Sequence, residues 1–217
     1  VKWLNGEDVI QSILEIVKSR DLLTYHHLIR VSEMMKGFGS FLNLSNDVVE
    51  RLYYSGLFHD VGKIVFKYIH YSSKSLTPTD FELIRLHPVI SANVVEPLAK
   101  GDFIVPAIRH HHERIDGRGY PDGLKDDEIP YGARIVAIVD AFDAIRWRPY
   151  NGNELKGIEY ALEKMCLENE EDGCQWDRSL LDMFYLFCME NTGKIEAIFR
   201  RKEIYETRFV LKKEGDV

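Results

Sequence analysis

HHHERIDGRGYPDG, residues 110–123, sets three consecutive histidines against a run holding three glycines and a proline. The apolar spacing before it predicts a helix from about Phe103 to Arg114 that stops at Gly117, a residue able to take the positive φ of a helix end. Gly119 and Gly123 permit tight turns, and Tyr120-Pro121 fixes the chain's return. On such a helix His111 and His112 stand about 100° apart, so two neighbouring metal ions would each receive one. Turn chemistry accounts for the glycines, but not for an exposed Tyr120 with Arg114 and Arg118 at the end of the histidine helix.

The surrounding chain sets the bounds. Its 217 residues are 45% hydrophobic and 12% aromatic, enough for a sizeable core in one domain. A formal charge of −7 argues against a nucleic-acid polymer as partner. No apolar run nears the ~20 residues of a membrane span, and the N-terminus lacks the charged-then-apolar pattern of a signal peptide. Cys166, Cys174 and Cys188 are unevenly spaced without C-x-x-C, so neither a disulfide frame nor a zinc knuckle is indicated, and a reducing cytoplasm is expected.

Working outward, the apolar period is helical nearly throughout. Val9, Ile10, Ile13, Leu14 and Val17 share one face of a first helix. After Ser19–Asp21, Thr24 can cap a second, lined by Val31, Met34, Phe38 and Phe41. A third begins near Asp47 behind Ser45–Asn46 and runs to His59. Residues 67–76 read as a polar loop. Thr77-Pro78-Thr79-Asp80 is a strong helix start, and that helix is expected to stop near His87-Pro88. Another follows to about Leu98. Ile129-Pro130 opens an apolar helix to Ile145, Asn153 caps one to Leu167, the acidic run 168–172 reads as a solvated loop, and Asp177 opens a last clear helix to Glu190. The tail, 195–211, reads as a short hairpin or a frayed helix. The fold class is all-α.

Onto this pattern fall seven candidate ligands. His27 shares the face of Val31, Met34 and Phe38; His59 and Asp60 end the ladder Leu52, Gly56, His59; His87 lies three residues past Ile84. Asp140 sits in IVAIVDAFDAI, where a bare carboxylate is costly to bury unless it is paired or metal-bound. Taken alone it would meet an arginine such as Arg134, and Asp143 would cap or pair. A lone histidine on an apolar face is more often a hydrogen-bonded core residue than a ligand, and His26, His70 and His110 are read so. Five histidines and two aspartates from separate helices are a different matter, since mixed N and O donors suit Fe, Mn or Zn and water activation.

The ordered set resembles a known family. His59-Asp60 followed by Gly62-Lys63 resembles the signature of the HD superfamily of metal-dependent phosphohydrolases, and HHERIDGRGYP at 111–121 matches the HHExxDGxGYP pattern of its HD-GYP branch at each fixed position. RDLLTYHHLIRV (20–31), LHP (86–88) and VDAFDA (139–144) resemble the flanking motifs, so the likeness runs over roughly residues 20–165. It implies an HD-type bundle of about seven to nine helices over 1–190, with 191–217 as an extension packed on the same domain. It implies a cyclic di-GMP phosphodiesterase that forms the linear dinucleotide pGpG, and GMP beyond it, through hydroxide activated by a dinuclear centre of iron or manganese. Carried over by position, the metal ligands are His27, His59, Asp60, His87, His111, His112 and Asp140, with Asp60 bridging. Lys63 is a phosphate-contacting, catalytic lysine, Arg148 an arginine that holds the substrate phosphate, and Tyr120 part of the substrate rim; the GYP loop is also a partner-protein contact, and a homodimer is compatible with the apolar first helix.

The departures bear on the site. Leu23 stands where some members carry an acidic third-metal ligand, so two metals are expected. The AIRW segment between Asp143 and Arg148 is one residue short, residue 151 is Asn where a basic residue is common, and IVFKYIHYSSKS after Lys63 lacks the usual proline. The rival readings are a phosphohydrolase for another cyclic dinucleotide or nucleotide, and a weakly catalytic metal-bound sensor. No receiver, sensory or cyclase region is recognisable, so the domain is expected to stand alone or to be part of a larger protein.

Overall fold

The computed structural model describes residues 6–66, 77–147, 155–171 and 173–201. They form helices α1 (Glu7–Arg20), α2 (Leu22–Phe41), α3 (Asn46–Phe58), α4 (Pro78–Ile84), α5 (His87–Val95), α6 (Ile104–Arg109), α7 (Tyr131–Arg146), α8 (Ile158–Glu171), α9 (Arg178–Glu190) and α10 (Thr192–Phe199), with 3-10 turns at Val61–Phe66 and Asp126–Glu128. No strand occurs among the described residues, and the class is all-α as expected. No helix among them is long and apolar enough to cross a membrane.

Short-range chemistry sets most boundaries. Ser45 caps α3, Thr77 and Asp80 form a reciprocal capping box before α4, and Asp177 caps α9. Asp21, not Thr24, caps α2. Its carboxylate accepts the N–H groups of Leu23 and Thr24, and the Thr24 hydroxyl donates to it from inside the first turn. Pro88 does not end a helix. The chain leaves α4 at Ile84, and Pro88 stands in the first turn of α5, where a missing N–H costs nothing.

Three further expectations are corrected. Helix α6 ends at Arg109, so the histidines lie in the turn beyond it, not on the helix. The acidic run is helical as far as Glu171, as the last turn of α8. Val9 faces solvent, whereas Ile10 and Val17 of α1 are buried and Ile13 and Leu14 pack partly against the same core. In the tail, Thr192–Phe199 is helical, and Ile195 and Phe199 are buried. The rest of the tail beyond 201, the 67–76 loop with His70, and residues 148–154 with Arg148, Asn151 and Asn153 lie outside the described residues.

Two apolar cores flank the site. The larger joins α2, α7, α8, α9 and α10 around Met34, Phe38, Phe142, Leu181 and Phe184. Phe38 meets Phe184 edge-on at 5.0 Å, and a buried phenylalanine in such a cluster is worth about 3–5 kcal/mol against alanine. The smaller gathers Ile10, Val17, Leu28, Phe58, Val95, Ile104 and Ile108. Helix α2 serves both, with Leu28 in one and Val31 in the other. The polar candidates converge in the seam between them. Gly62 makes the close approach possible there: a Cβ on it would lie 2.5 Å from the His87 carbonyl oxygen.

Candidate metal centre

Three of the histidines are aimed by the same device. His59 Nδ1 lies 2.8 Å from the Gly56 carbonyl, His87 Nδ1 2.6 Å from that of Ile84, and His111 Nδ1 2.6 Å from that of Ile108. Each acceptor lies three residues earlier, in the last turn of α3, α4 or α6, where helix carbonyls have no partner further along the helix. A carbonyl can only accept, so Nδ1 carries the proton, and in the neutral ring the Nε2 lone pair points into the seam. His27, inside α2, has no such carbonyl to use. Its Nδ1 donates instead to Asp143 Oδ2 at 2.7 Å.

The Nε2 atoms meet two carboxylates. Asp60 is fully buried. Its Oδ1 lies 3.0 Å from His87 Nε2 and 3.7 Å from His111 Nε2, while its Oδ2 lies 3.5 Å from His27 Nε2 and 3.4 Å from His59 Nε2. Asp140 Oδ1 completes the second set at 3.1 Å from His27 and 3.7 Å from His59. Two groups of four donors result, Asp60 with His87, His111 and His112, and Asp60 with His27, His59 and Asp140, each with its donor atoms within 4.8 Å of one another. His111 and His112 therefore fall in one group. The expectation of one per metal rested on a helix that ends before them.

These donors fit a cation. Asp60 Oδ1 and His111 Nε2 are buried without a hydrogen-bond partner among the described residues. The His27–His59 and His87–His112 pairs bring Nε2 atoms to 3.1 Å of each other. Lone pairs gathered in this way repel unless a positive charge sits among them. Protons compete with a cation for these places. Burial alone would raise both carboxyls, but Lys63, His59 and His87 hold Asp60 well below the usual carboxylate range, and His27 and His59 do the same to Asp140. Burial also opposes a proton on His27, yet Asp140, Asp143 and Asp60 hold it well above its ordinary value. Burial, with His59 and His87 adding, pushes His111 down to about 4, and burial takes His112 well below its ordinary value.

Lys63 reaches back from the 3-10 turn to pair with Asp60 Oδ2. Tyr120 is half-buried, not exposed. It stacks on His112 with ring centroids 4.9 Å apart, and the Arg85 guanidinium lies 4.7 Å from the centroid of its ring. Arg114 and Arg118 both pair with Asp116 at 2.7 Å, which answers why two arginines stand there. Leu23 packs against the larger apolar core. Arg134 does not meet Asp140; it pairs with Asp127 and Asp177. Of the histidines set aside, His110 pairs with Asp122, and His26 is buried against Tyr25.

Four contributors carry no role in the sequence reading. Glu113 is buried, and its carboxylate accepts the N–H groups of Asp122, Gly123 and Leu124, which folds the GYP loop back on the histidine turn. Ser91 accepts the Gly62 N–H at 2.9 Å. Arg30 pairs with Asp143, and Arg85 covers Tyr120. A polar residue three positions from a ligand was the available signal for Arg30 and Asp143.

A profile of the HD domain family matches residues 11–178, and the chain belongs to that family. The match takes in every motif that carries the HD-GYP resemblance. The chain is 37% identical over 137 residues to a cyclic di-GMP phosphodiesterase of Pseudomonas aeruginosa, covering 62% of this chain and 33% of that protein. It is 31% identical over 154 residues to a 3'3'-cGAMP-specific phosphodiesterase of Vibrio cholerae, covering 68% of this chain and 36% of that protein. It thus spans about a third of the length of these curated relatives. The crystal structure of a cyclic GMP-AMP specific phosphodiesterase from Vibrio cholerae shares the fold, with a TM-score of 0.64 at 20% identity, covering 94% of this chain and 52% of that one.

Proposed function

We propose that this domain is a metal-dependent phosphodiesterase that hydrolyses cyclic di-GMP to the linear dinucleotide pGpG, with GMP as the further product. The observation that carries the reading is the pair of four-donor groups sharing Asp60, which suits two divalent ions, iron or manganese, side by side. When bound, such ions lower the pKa of water and draw charge from phosphoryl oxygens. The chain's own groups serve the same end. Asp60 offers one oxygen to each group, and the Lys63 ammonium beside it is placed to neutralise charge growing on a phosphate oxygen. Tyr120, stacked on His112 with Arg85 over its ring, stands at the rim by which a nucleotide would enter. Leu23, packed in apolar surroundings, supports two metals rather than three.

A second substrate deserves a parallel trial, because one relative is named for 3'3'-cGAMP and the segment before Arg148 departs from the family pattern. Protein loaded anaerobically with Fe(II) or Mn(II) is incubated with each cyclic dinucleotide and the products are separated chromatographically. Linear dinucleotide from cyclic di-GMP, at a higher kcat/KM than from cGAMP, is the expected result. The reverse preference reassigns the substrate. Nucleotide binding without turnover under either metal overturns the enzyme reading in favour of a sensor.

A further inference from the structure

We propose that Arg30 and Asp143 form a positioning pair that orients His27, and that one of the two donor groups, not both, depends on it. The inference rests on the metal-centre reading above. Helix α2 carries His27 and Arg30 three residues apart, and α7 carries Asp140 and Asp143 three residues apart, so each helix presents a ligand and, one turn on, a supporting charge. The two supports join in a bidentate pair, with Arg30 Nε donating to Asp143 Oδ1 at 2.6 Å and Nη2 to Oδ2 at 2.7 Å. Oδ2 also accepts the His27 Nδ1–H at 2.7 Å. Both side chains are 1% exposed, and the guanidinium lies 4.4 Å over Trp147 and 5.3 Å over Phe199.

A buried ion pair is a poor way to gain stability, since apolar side chains of like volume fill the same space as well or better. What an apolar pair cannot do is accept a proton from His27. The other three oriented imidazoles use carbonyls freed at a helix end. His27 lies inside α2, whose carbonyls are engaged along the helix, so its Nε2 is turned toward Asp60 and Asp140 only by an acceptor from another element. Arg30 holds that acceptor in place and keeps it charged. In the other group His87 and His111 are oriented by their own carbonyls and do not use the pair.

The test compares two double variants with the natural chain, both lacking the buried charges so that neither leaves an orphan ion. In Arg30→Met with Asp143→Leu, His27 loses its acceptor. In Arg30→Met with Asp143→Asn, the amide oxygen still accepts the Nδ1–H. Folding is checked by melting and near-ultraviolet dichroism, and metal by elemental analysis and Mn(II) titration. The natural chain is expected to bind two ions. The leucine double should stay folded, keep one site at its original affinity and weaken the other about 10–100-fold. The asparagine double should recover most of that loss. Two unchanged sites in the leucine double, equal weakening of both sites, or equal loss in the two doubles would each overturn the proposal. A natural chain that binds no metal would instead overturn the metal-centre reading on which it stands.

Discussion

Asp60 concentrates the chemistry of the site in one side chain. A fully buried carboxylate would by itself cost several kcal/mol, and this one is kept charged by Lys63 and the imidazoles around it. Its two oxygens face different donor groups, so it is the single residue whose loss should empty both. Asp60→Ala is expected to remove bound metal altogether and to lower turnover by at least the order of 10²–10³ that loss of one stabilising group costs. Elemental analysis with a product assay checks this; a variant that keeps one ion and its activity would mean the shared ligand is another residue. At this scale the sequence was most legible. All seven candidate ligands named from it reach the seam, because ligation requires residue types, and types are what a sequence displays. Their partition was not legible, since it depended on where α6 stops.

The histidine turn and the loop after it form one element with its own internal bracing. Glu113 ties Asp122, Gly123 and Leu124 to the turn, and a Cβ on Gly119 would fall 2.4 Å from the Arg114 nitrogen, so the loop closes flat against its own start. Asp116 clamps Arg114 and Arg118, and Ile115 and Asp116 donate backbone N–H groups to Gln175 and Cys174 ahead of α9. Hydrogen bonds from Arg114, against a smaller opposing effect of burial and with Arg118 adding, hold the Asp116 carboxyl well below the usual carboxylate range. A depressed carboxyl stabilises the fold above its unfolded pKa of about 3.9, and the contribution is lost as pH falls through the lower folded value. Asp116→Asn should therefore cost up to about 1 kcal/mol at neutral pH, the upper end of the scale of an ion pair near the surface. The gap from the natural chain should be flat above about pH 5 and shrink below about pH 4. Urea titrations across that range check it; a gap constant to pH 2.5, on the order of a unit below the unfolded value, would mean that the charge is not what stabilises the loop.

Across the whole molecule, two apolar cores hold apart a seam of donors that has no apolar reason to close. The larger core packs α7 against α2 and the C-terminal helices, and the smaller sets α3, α5 and α6 on the other side of α2. A cation at the seam relieves the crowding of lone pairs and binds only the folded chain, so it adds to stability by mass action. Chelation of metal-loaded protein should lower Tm, by an amount equivalent to about 2.7 kcal/mol where free metal had stood at a hundred times Kd. Calorimetry before and after chelator, with metal restored, measures the effect. No change in Tm would show that the donors are satisfied without an ion.

What the sequence determined by itself was the class of the fold, the principal helices, the helix starts near Asp47, Thr77 and Asp177, and the identity of the metal-ligand candidates. All of these follow from local period, local hydrogen bonding and residue chemistry. Only the tertiary structure decided that Asp60 gives one oxygen to each group, that His111 and His112 share one of them, that Tyr120 lies against His112, and that Asp143 of α7 orients His27 of α2. Those facts join residues as much as 116 positions apart. They are set by how α2, α3, α5 and α7 pack around the seam, and the periodicity of any one segment contains no term for the distance to another.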